Sequence, residues 1–178
     1  MEFIEELKRH ELLRKTGEVL DLGCHSGIFS KTFAELGYSV DAVDFKNKLT
    51  KNDKNIHFHL SKIEDFKPTK SYDVIFARNV VFFTENPIAT TERYLQYLKP
   101  GGALCVSFLG KNDGWKNEKW FRPVTEKDLK DFILKNNLEE LSFKESERPN
   151  GLMMNGDTKY WHMFKLVLKK PLGERNAC

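Results

Sequence analysis

The run Glu18-Val19-Leu20-Asp21-Leu22 passes without a break into Gly23-Cys24-His25-Ser26-Gly27 and then into Ile28-Phe29-Ser30-Lys31-Thr32-Phe33. The first segment reads as a buried strand, the kind found in sheets with helices on both sides. The glycine-bearing turn lets backbone approach a ligand closely. The helix it opens presents unpaired N–H groups and a positive dipole end. Strand, glycine turn and helix together place a ligand site where the sheet meets its first helix.

The rest of the chain continues the alternation. Phe3, Ile4 and Leu7 share one face of a short N-terminal helix, and Ile28 to Leu36 forms a helix stopped by Gly37. Strands are predicted over Ser39–Val43, Ile56–Leu60, Tyr72–Ala77 and Ala103–Leu109, with a turn or short helix at Ser61–Phe66. Asn86-Pro87 starts a helix that runs to about Leu98, where Lys99-Pro100-Gly101-Gly102 breaks it. Thr125-Glu126-Lys127-Asp128 has capping-box form, and Leu129, Phe132 and Ile133 give the inward stripe of the helix that follows, ending near Asn136-Asn137. The last third differs. Leu138–Lys144 and Tyr160–Leu168 both read as strands, joined by a polar loop with no helix between them. Alternation followed by a strand pair implies an α/β, doubly wound, mostly parallel sheet with an antiparallel C-terminal hairpin.

A chain of 178 residues is expected to form one domain over residues 1–170, with 171–178 as a disordered tail. No apolar run approaches a membrane span, and Met1-Glu2-Phe3-Ile4-Glu5-Glu6-Leu7 carries acids where a secretory signal carries bases, so the expected address is the cytoplasm. The three cysteines, Cys24, Cys105 and Cys178, lack C-x-x-C spacing and are expected as reduced thiols with no metal role. The net charge of +3 comes from lysines spread along the chain, a pattern of a solvated surface rather than a nucleic-acid footprint. His57 and His59 alternate along a strand and are too isolated to argue for a metal.

In a doubly wound sheet the ligand lies beyond the carboxyl ends of the strands. Asp21 ends the first strand, Asp44 ends the second, and Glu64-Asp65 follows the third. A carboxylate about 20 residues past the glycine turn suits ribose hydroxyls, which fits several adenosine ligands, NAD among them. The glycine spacing separates these ligands. A pyrophosphate turn needs G-x-G-x-x-G, and here position 25 is His between Gly23 and Gly27. An acid just before the turn instead suits a ligand with a positive group near Asp21 and ribose hydroxyls near Asp44.

Val19-Leu20-Asp21-Leu22-Gly23-Cys24-His25-Ser26-Gly27, Val43-Asp44, Ile63-Glu64-Asp65-Phe66, Tyr72-Asp73-Val74-Ile75-Phe76-Ala77 and Leu98-Lys99-Pro100-Gly101-Gly102 resemble the ordered motifs of class I S-adenosylmethionine-dependent methyltransferases. More loosely, Phe108-Leu109-Gly110, Asp113-Gly114-Trp115 and Lys159-Tyr160-Trp161-His162-Met163-Phe164 are similar to small bacterial methyltransferases of the tellurite-resistance type. The resemblance implies a Rossmann-like seven-stranded sheet of order 3-2-1-4-5-7-6, with S-adenosylmethionine as methyl donor and S-adenosylhomocysteine as product. It implies that the turn Gly23, Cys24, His25 and Gly27 passes under the methionine part with Asp21 near its ammonium. Asp44 would hold the ribose and Phe45 would pack on the adenine. Asp65 would accept from the adenine amine, and Ile63 and Phe66 would line the adenine pocket. Ala77, Arg78 and Asn79 would border the sulfonium and the acceptor. His25 departs from the family's commoner glycine, which puts cofactor affinity in question.

Methyl transfer from a sulfonium is an in-line displacement with a neutral leaving group, so placing the nucleophile and excluding water carry much of the catalysis. A base is required only for a protonated acceptor. His162 lies on an apolar strand face, which favours a satisfied core histidine, while its family equivalent suggests substrate binding or proton transfer. Arg78 suits an anionic substrate or a surface carboxylate equally. Trp115, Trp120 and Arg122 lie where a lid, or an anchor for that loop, would sit. Little chain precedes the first strand, so the cover is expected mainly from Gly110–Val124 and Ser146–Thr158, which suits a small acceptor. No Asn-Pro-Pro-Tyr-like segment follows the fourth strand, so amino methylation of the kind linked to that motif loses support. The expectation is a methyltransferase acting on a small molecule, a chalcogen oxyanion or other soft nucleophile being the guess, with no membrane partner, nucleic acid disfavoured and a monomer favoured. A non-catalytic nucleoside-binding module and an RNA-modifying enzyme stand as the alternatives.

Overall fold

The computed structural model describes residues 2–49, 53–153 and 155–173. Most of the expected tail, residues 174–178, lies outside them. The described chain runs α1 (Glu2–Arg9), β1 (Gly17–Leu22), α2 (Ile28–Glu35), β2 (Tyr38–Asp44), β3 (Ile56–Leu60), β4 (Tyr72–Ala77), α3 (Pro87–Tyr94), β5 (Leu98–Leu109), α4 (Glu126–Lys135), β6 (Glu139–Leu152) and β7 (Thr158–Lys169). The strands form one seven-stranded sheet ordered β3-β2-β1-β4-β5-β7-β6, parallel through β5, with β7 antiparallel to both β5 and β6. This is the strand order that the family resemblance implied.

Side-chain alternation divides the apolar residues between two layers. On β1, Val19 joins Phe3, Leu7 and Phe33 from α1 and α2 on one face. Leu20 and Leu22 join Tyr94, Leu129 and Phe132 from α3 and α4 on the other. The caps read from sequence are present. The Asn86 side chain accepts from the Ala89 N–H at 3.0 Å, and Thr125 and Asp128 close a reciprocal capping box.

Two segments differ from expectation. The helix after Asn86 ends at Tyr94 and tightens into a 3-10 turn, Leu95–Tyr97. Lys99-Pro100-Gly101-Gly102 is not a loop but the irregular start of β5, where the register against β4 shifts between Tyr72 and Val74. The strand survives because the residue that follows β7 supplies partners: the Gly101 N–H donates to the Lys170 carbonyl at 2.8 Å, and the Lys170 N–H to the Gly102 carbonyl at 2.9 Å. Pro100, which has no N–H, falls at the irregularity, where the ladder needs no donor. The predicted loop after Lys144 is likewise mostly strand. β6 continues to Leu152 through a second shift between Arg148 and Gly151, and Pro149 falls inside that shift. A long hairpin therefore extends from the sheet, and no described helix is long and apolar enough to cross a membrane.

Candidate functional site

The carboxyl ends of β1 and β2 and the turn between β1 and α2 form the floor of the site. Gly23 and Gly27 adopt φ 70° and 77°. A Cβ on Gly23 would lie 2.4 Å from Val80 Cγ2 and 2.6 Å from its Cβ, so conformation and space both demand glycine there; at Gly27 the positive φ is the demand, since the nearest atom is the movable end of Leu49. His25 also sits in the left-handed region, at φ 49°, with Nε2 3.3 Å from Lys48 Nζ. The turn is laced to β2. The Gly23 and Cys24 N–H groups donate to the Val43 carbonyl at 2.8 and 3.1 Å, and the His25 N–H donates to Asp44 Oδ2 at 2.9 Å.

The two strand-end aspartates are in different electrostatic states. Asp44 accepts once on each oxygen, from His25 and from the Lys46 N–H at 3.0 Å, which leaves a lone pair on each for a further donor. Asp21 is 3% exposed and accepts from the Ser30 hydroxyl at 2.6 Å. Burial pushes its pKa up to about 6; the Ser30 hydrogen bonds pull the other way, nearby Asp44 adds to the rise, and no described cation offsets it. A buried carboxylate in that condition suits a ligand that brings a positive charge. Cys24, above it, has its thiol pushed up by burial and by both aspartates, so it is no nucleophile.

A cavity of about 590 Å³ opens over the turn. Gly23 to Ser26 with Ile28 and Phe29 line one end, and Phe76, Arg78 and Asn79 at the end of β4 line its side. Phe82 and Phe83, from a 3-10 turn at Val81–Phe83, face Trp115, Trp161 and the hairpin tip at Leu152, Met153 and Asn155. The aromatic side is continuous. Trp115 lies 5.8 Å from Phe83, 5.3 Å from Trp120 and 5.5 Å from Trp161 between ring centroids. Behind it the Lys159 ammonium sits 4.0 Å and 3.7 Å from the centroids of Trp115 and Trp161 and pairs with Asp113, which is 0% exposed. Burial pulls the Lys159 pKa down and the Asp113 carboxylate raises it back in part. Asp113 also accepts the Trp115 and His162 backbone N–H groups at 3.1 and 3.0 Å, tying the loop after β5 to β7.

Of the residues predicted from sequence, Gly23, Cys24, His25, Arg78 and Asn79 line the cavity. Asp21, Gly27, Asp44 and Ala77 do not line it: Asp44 accepts the N–H of the lining residue His25, Asp21 is buried on the strand that leads into Gly23, Gly27 follows the lining residue Ser26, and Ala77 is buried at the end of β4. Asn79 is fixed by two bonds: its N–H donates to Ser107 Oγ at 2.7 Å, and the Ser107 hydroxyl donates to Asn79 Oδ1 at 3.0 Å. The Arg78 guanidinium lies 5.1 Å from the Phe29 centroid and has no ion-pair partner among the described residues. Phe45, Ile63, Asp65 and Phe66 stand apart from this cavity. Phe45 is 61% exposed, Phe66 packs on His59 at 4.9 Å, Asp65 is exposed, and the buried Ile63 has its carbonyl bonded by the Tyr94 hydroxyl at 2.6 Å. His162 also lies outside the lining, and both of its ring nitrogens are engaged. Nδ1 accepts the Asn112 N–H at 3.1 Å, which leaves Nε2, 2.7 Å from Glu145 Oε1, as the donor. His59 pairs with Asp41 at 3.0 Å, a structural contact. The sequence reading passed over Phe82 and Phe83; the available signal was an apolar pair outside any predicted strand or helix. Of the three residues expected in a lid or a loop anchor, Trp115 lines the cavity and Trp120 and Arg122 do not; Trp120 backs Trp115, and Arg122 donates to the Lys119 and Phe121 carbonyls.

Comparison with known proteins agrees with this arrangement. The family model described as "Methyltransferase domain" matches residues 2–144. Malonyl-[acyl-carrier protein] O-methyltransferase 2 of Ilyobacter polytropus is 30% identical over 103 residues, 53% of this chain and 40% of that protein. The ubiquinone biosynthesis O-methyltransferase of a Bradyrhizobium species is 28% identical over 147 residues, 67% of this chain and 57% of that protein. The chain thus spans about half the length of these curated relatives. Among solved structures, TehB from Haemophilus influenzae superposes with TM-score 0.73 at 20% identity, covering 93% of this chain and 61% of that one. N-methyltransferase NodS from Bradyrhizobium japonicum in complex with S-adenosyl-L-homocysteine gives 0.65 at 15% identity, covering 96% and 87%. Fold, floor and family match converge: the chain belongs to the methyltransferase-domain family, among the class I S-adenosylmethionine-dependent methyltransferases.

Proposed function

We propose that this chain moves a methyl group from S-adenosylmethionine to a small-molecule acceptor by in-line displacement. The observation that carries the reading is Asp21, a buried carboxylate with no described cation beside it, on the strand that leads into the cavity's glycine turn and near an Asp44 with lone pairs to spare. An α-ammonium supplies the missing charge and a ribose diol the missing donors. Asp21 and the turn Gly23–Gly27 hold the methionine end in this reading, and Asp44 holds the ribose. Phe45, Ile63, Asp65 and Phe66 receive the adenine outside the cavity, along the ends of β2 and β3. When bound, the donor supplies an electrophilic methyl whose departure leaves a neutral thioether. The protein's task is placement: Ala77 and the doubly bonded Asn79 set the sulfonium end, while the aromatic side keeps water from the transfer axis. Arg78 has the chemistry to hold an anionic group of the acceptor. His162 acts as a positioning residue, its backbone N–H on Asp113 and its ring between β6 and the loop after β5. The two curated relatives are named O-methyltransferases and NodS an N-methyltransferase, so their names do not fix the acceptor atom; a small acceptor is the part assigned to this chain.

Calorimetric titration with S-adenosylmethionine, S-adenosylhomocysteine and NAD tests the reading. Both adenosyl ligands should bind and NAD should not. Asp44→Ala removes charge-assisted hydrogen bonds worth roughly 1.5–3 kcal/mol each, so two of them correspond to at least about a hundredfold loss of affinity. The assignment fails if neither adenosyl ligand binds, or if the variant binds as tightly as the parent.

A further inference from the structure

The residues lining the cavity away from the glycine turn carry a pattern of their own. The described lining contains no Asp, Glu, Tyr or Lys side chain. Its titratable groups are Cys24, whose thiol is held protonated, Arg78, and His25, whose imidazole sits in the turn beside Lys48. The Lys48 ammonium can only donate, so His25 Nε2 accepts from it, Nδ1 carries the ring proton, and the imidazole has no free lone pair. Among the described lining residues no side chain is left to take a proton from an acceptor held against the far wall. That wall is made of π surface. Phe83 is 56% exposed although it lines the cavity, and its ring neighbours are Phe82 at 4.7 Å, Trp115 at 5.8 Å and Trp120 at 5.4 Å. Lys159 and Asp113 lock the two tryptophans from behind, so the wall is set before any ligand arrives. Space is sufficient: at roughly 30 Å³ per water, 590 Å³ holds on the order of 20 water-sized groups, about twice the heavy atoms of a methionine arm.

Resting on the methyltransferase reading above, we infer that the acceptor is a flat aromatic molecule whose nucleophilic atom already carries a free lone pair at working pH, seated against Phe83, Trp115 and Trp161. An aromatic thiolate or a ring nitrogen meets the description. The lone pair forms the new bond to the methyl carbon, the carbon–sulfur bond breaks, and its electron pair returns to sulfur, which leaves neutral. No proton moves, so the transfer needs no base from the described lining residues. The planar wall stacks with the ring and orients it, because offset and edge-on aromatic contacts are directional.

The protein carries its own reporter, since Trp115, Trp120 and Trp161 are its only tryptophans and all three belong to this network. Tryptophan emission is titrated with benzoate and with cyclohexanecarboxylate, anions of similar size that differ in planarity, without and with saturating S-adenosylhomocysteine. Benzoate should quench saturably and bind at least about tenfold tighter than its saturated counterpart. Phe83→Ala should weaken benzoate about tenfold; the side chain is largely exposed, so its removal leaves the core intact. Thiophenol and phenol are then compared as acceptors. Transfer to thiophenol should follow that thiol's own ionisation with pH, and phenol, protonated near neutrality, should react at least about a hundredfold more slowly. Equal binding of the two carboxylates, no effect of Phe83→Ala, or equal rates for phenol and thiophenol would overturn the inference. S-adenosylhomocysteine binding separates the two readings: its loss would count against the methyltransferase assignment, and its presence without aromatic selectivity against this one.

Discussion

Asp21→Asn isolates the charge that the site holds in reserve. The rise from an ordinary aspartate 3.8 to about 6 corresponds, at 1.36 kcal/mol per pH unit, to roughly 3 kcal/mol of destabilisation once the buried carboxylate ionises. The sign follows from proton binding. The folded protein holds the proton more tightly than the unfolded chain, so this group favours folding below about pH 4, and the advantage is lost as pH rises through about 6. Asn cannot titrate. Its stability relative to the parent should therefore rise by about 2 kcal/mol between pH 4.5 and pH 7, whatever fixed cost the buried amide adds. Urea denaturation of both proteins across that range measures the difference. Ligand binding supplies a second readout. If an ammonium arrives beside Asp21, S-adenosylhomocysteine binding should release roughly 0.9 proton at pH 5 and about 0.1 at pH 7, and the release should vanish in Asp21→Asn. Calorimetry in buffers of different ionisation enthalpy counts the protons. A stability difference flat with pH, or a release that survives the substitution, would refute the reasoning.

His25→Gly relieves left-handed strain of roughly 1 kcal/mol and adds glycine entropy of similar size, so thermal denaturation should place the variant within about 0.5 kcal/mol of the parent. S-adenosylhomocysteine should bind it as tightly or more so; a tenfold loss would show instead that the imidazole contacts the ligand. Lys159→Met leaves Asp113 buried without its cation and should cost about 3–5 kcal/mol in urea denaturation. Adding Asp113→Asn to that variant should recover much of the loss, and a single variant within about 1 kcal/mol of the parent would show that the pair does not lock the loop.

The cofactor half of the site could be read from sequence because its determinants are local. Asp21, Gly23 and Gly27 fall within one strand-turn-helix, and Asp44 ends the next strand, so spacing alone brings them together. The aromatic half is not local. Trp161 meets Trp115 because β7 is inserted beside β5, a consequence of sheet order rather than of any short pattern. Lys159 finds Asp113 across the same approach. The polar segment after Lys144 read as a loop, yet the hairpin takes up Pro149 and Gly151 at a register shift and carries Leu152 to the cavity. His162 was legible as a core histidine from its apolar strand face, while the pairing of both its ring nitrogens depended on Asn112 and Glu145, which sequence distance concealed.

The insertion of β7 between β5 and β6 also sets a timetable for synthesis. Sixty residues separate Leu109, the end of β5, from Lys169, the end of β7. At roughly 5–20 residues per second, β5 waits about 3–12 s on the ribosome with one edge unpaired. An unpaired, strongly apolar edge such as Ala103–Leu109 is a template for pairing with another chain, so crowded expression should favour aggregation through this strand. The strand that ends this exposure is also the one that brings Lys159 and Trp161 into place, and a nascent chain acquires its protected edge and its aromatic wall in the same event.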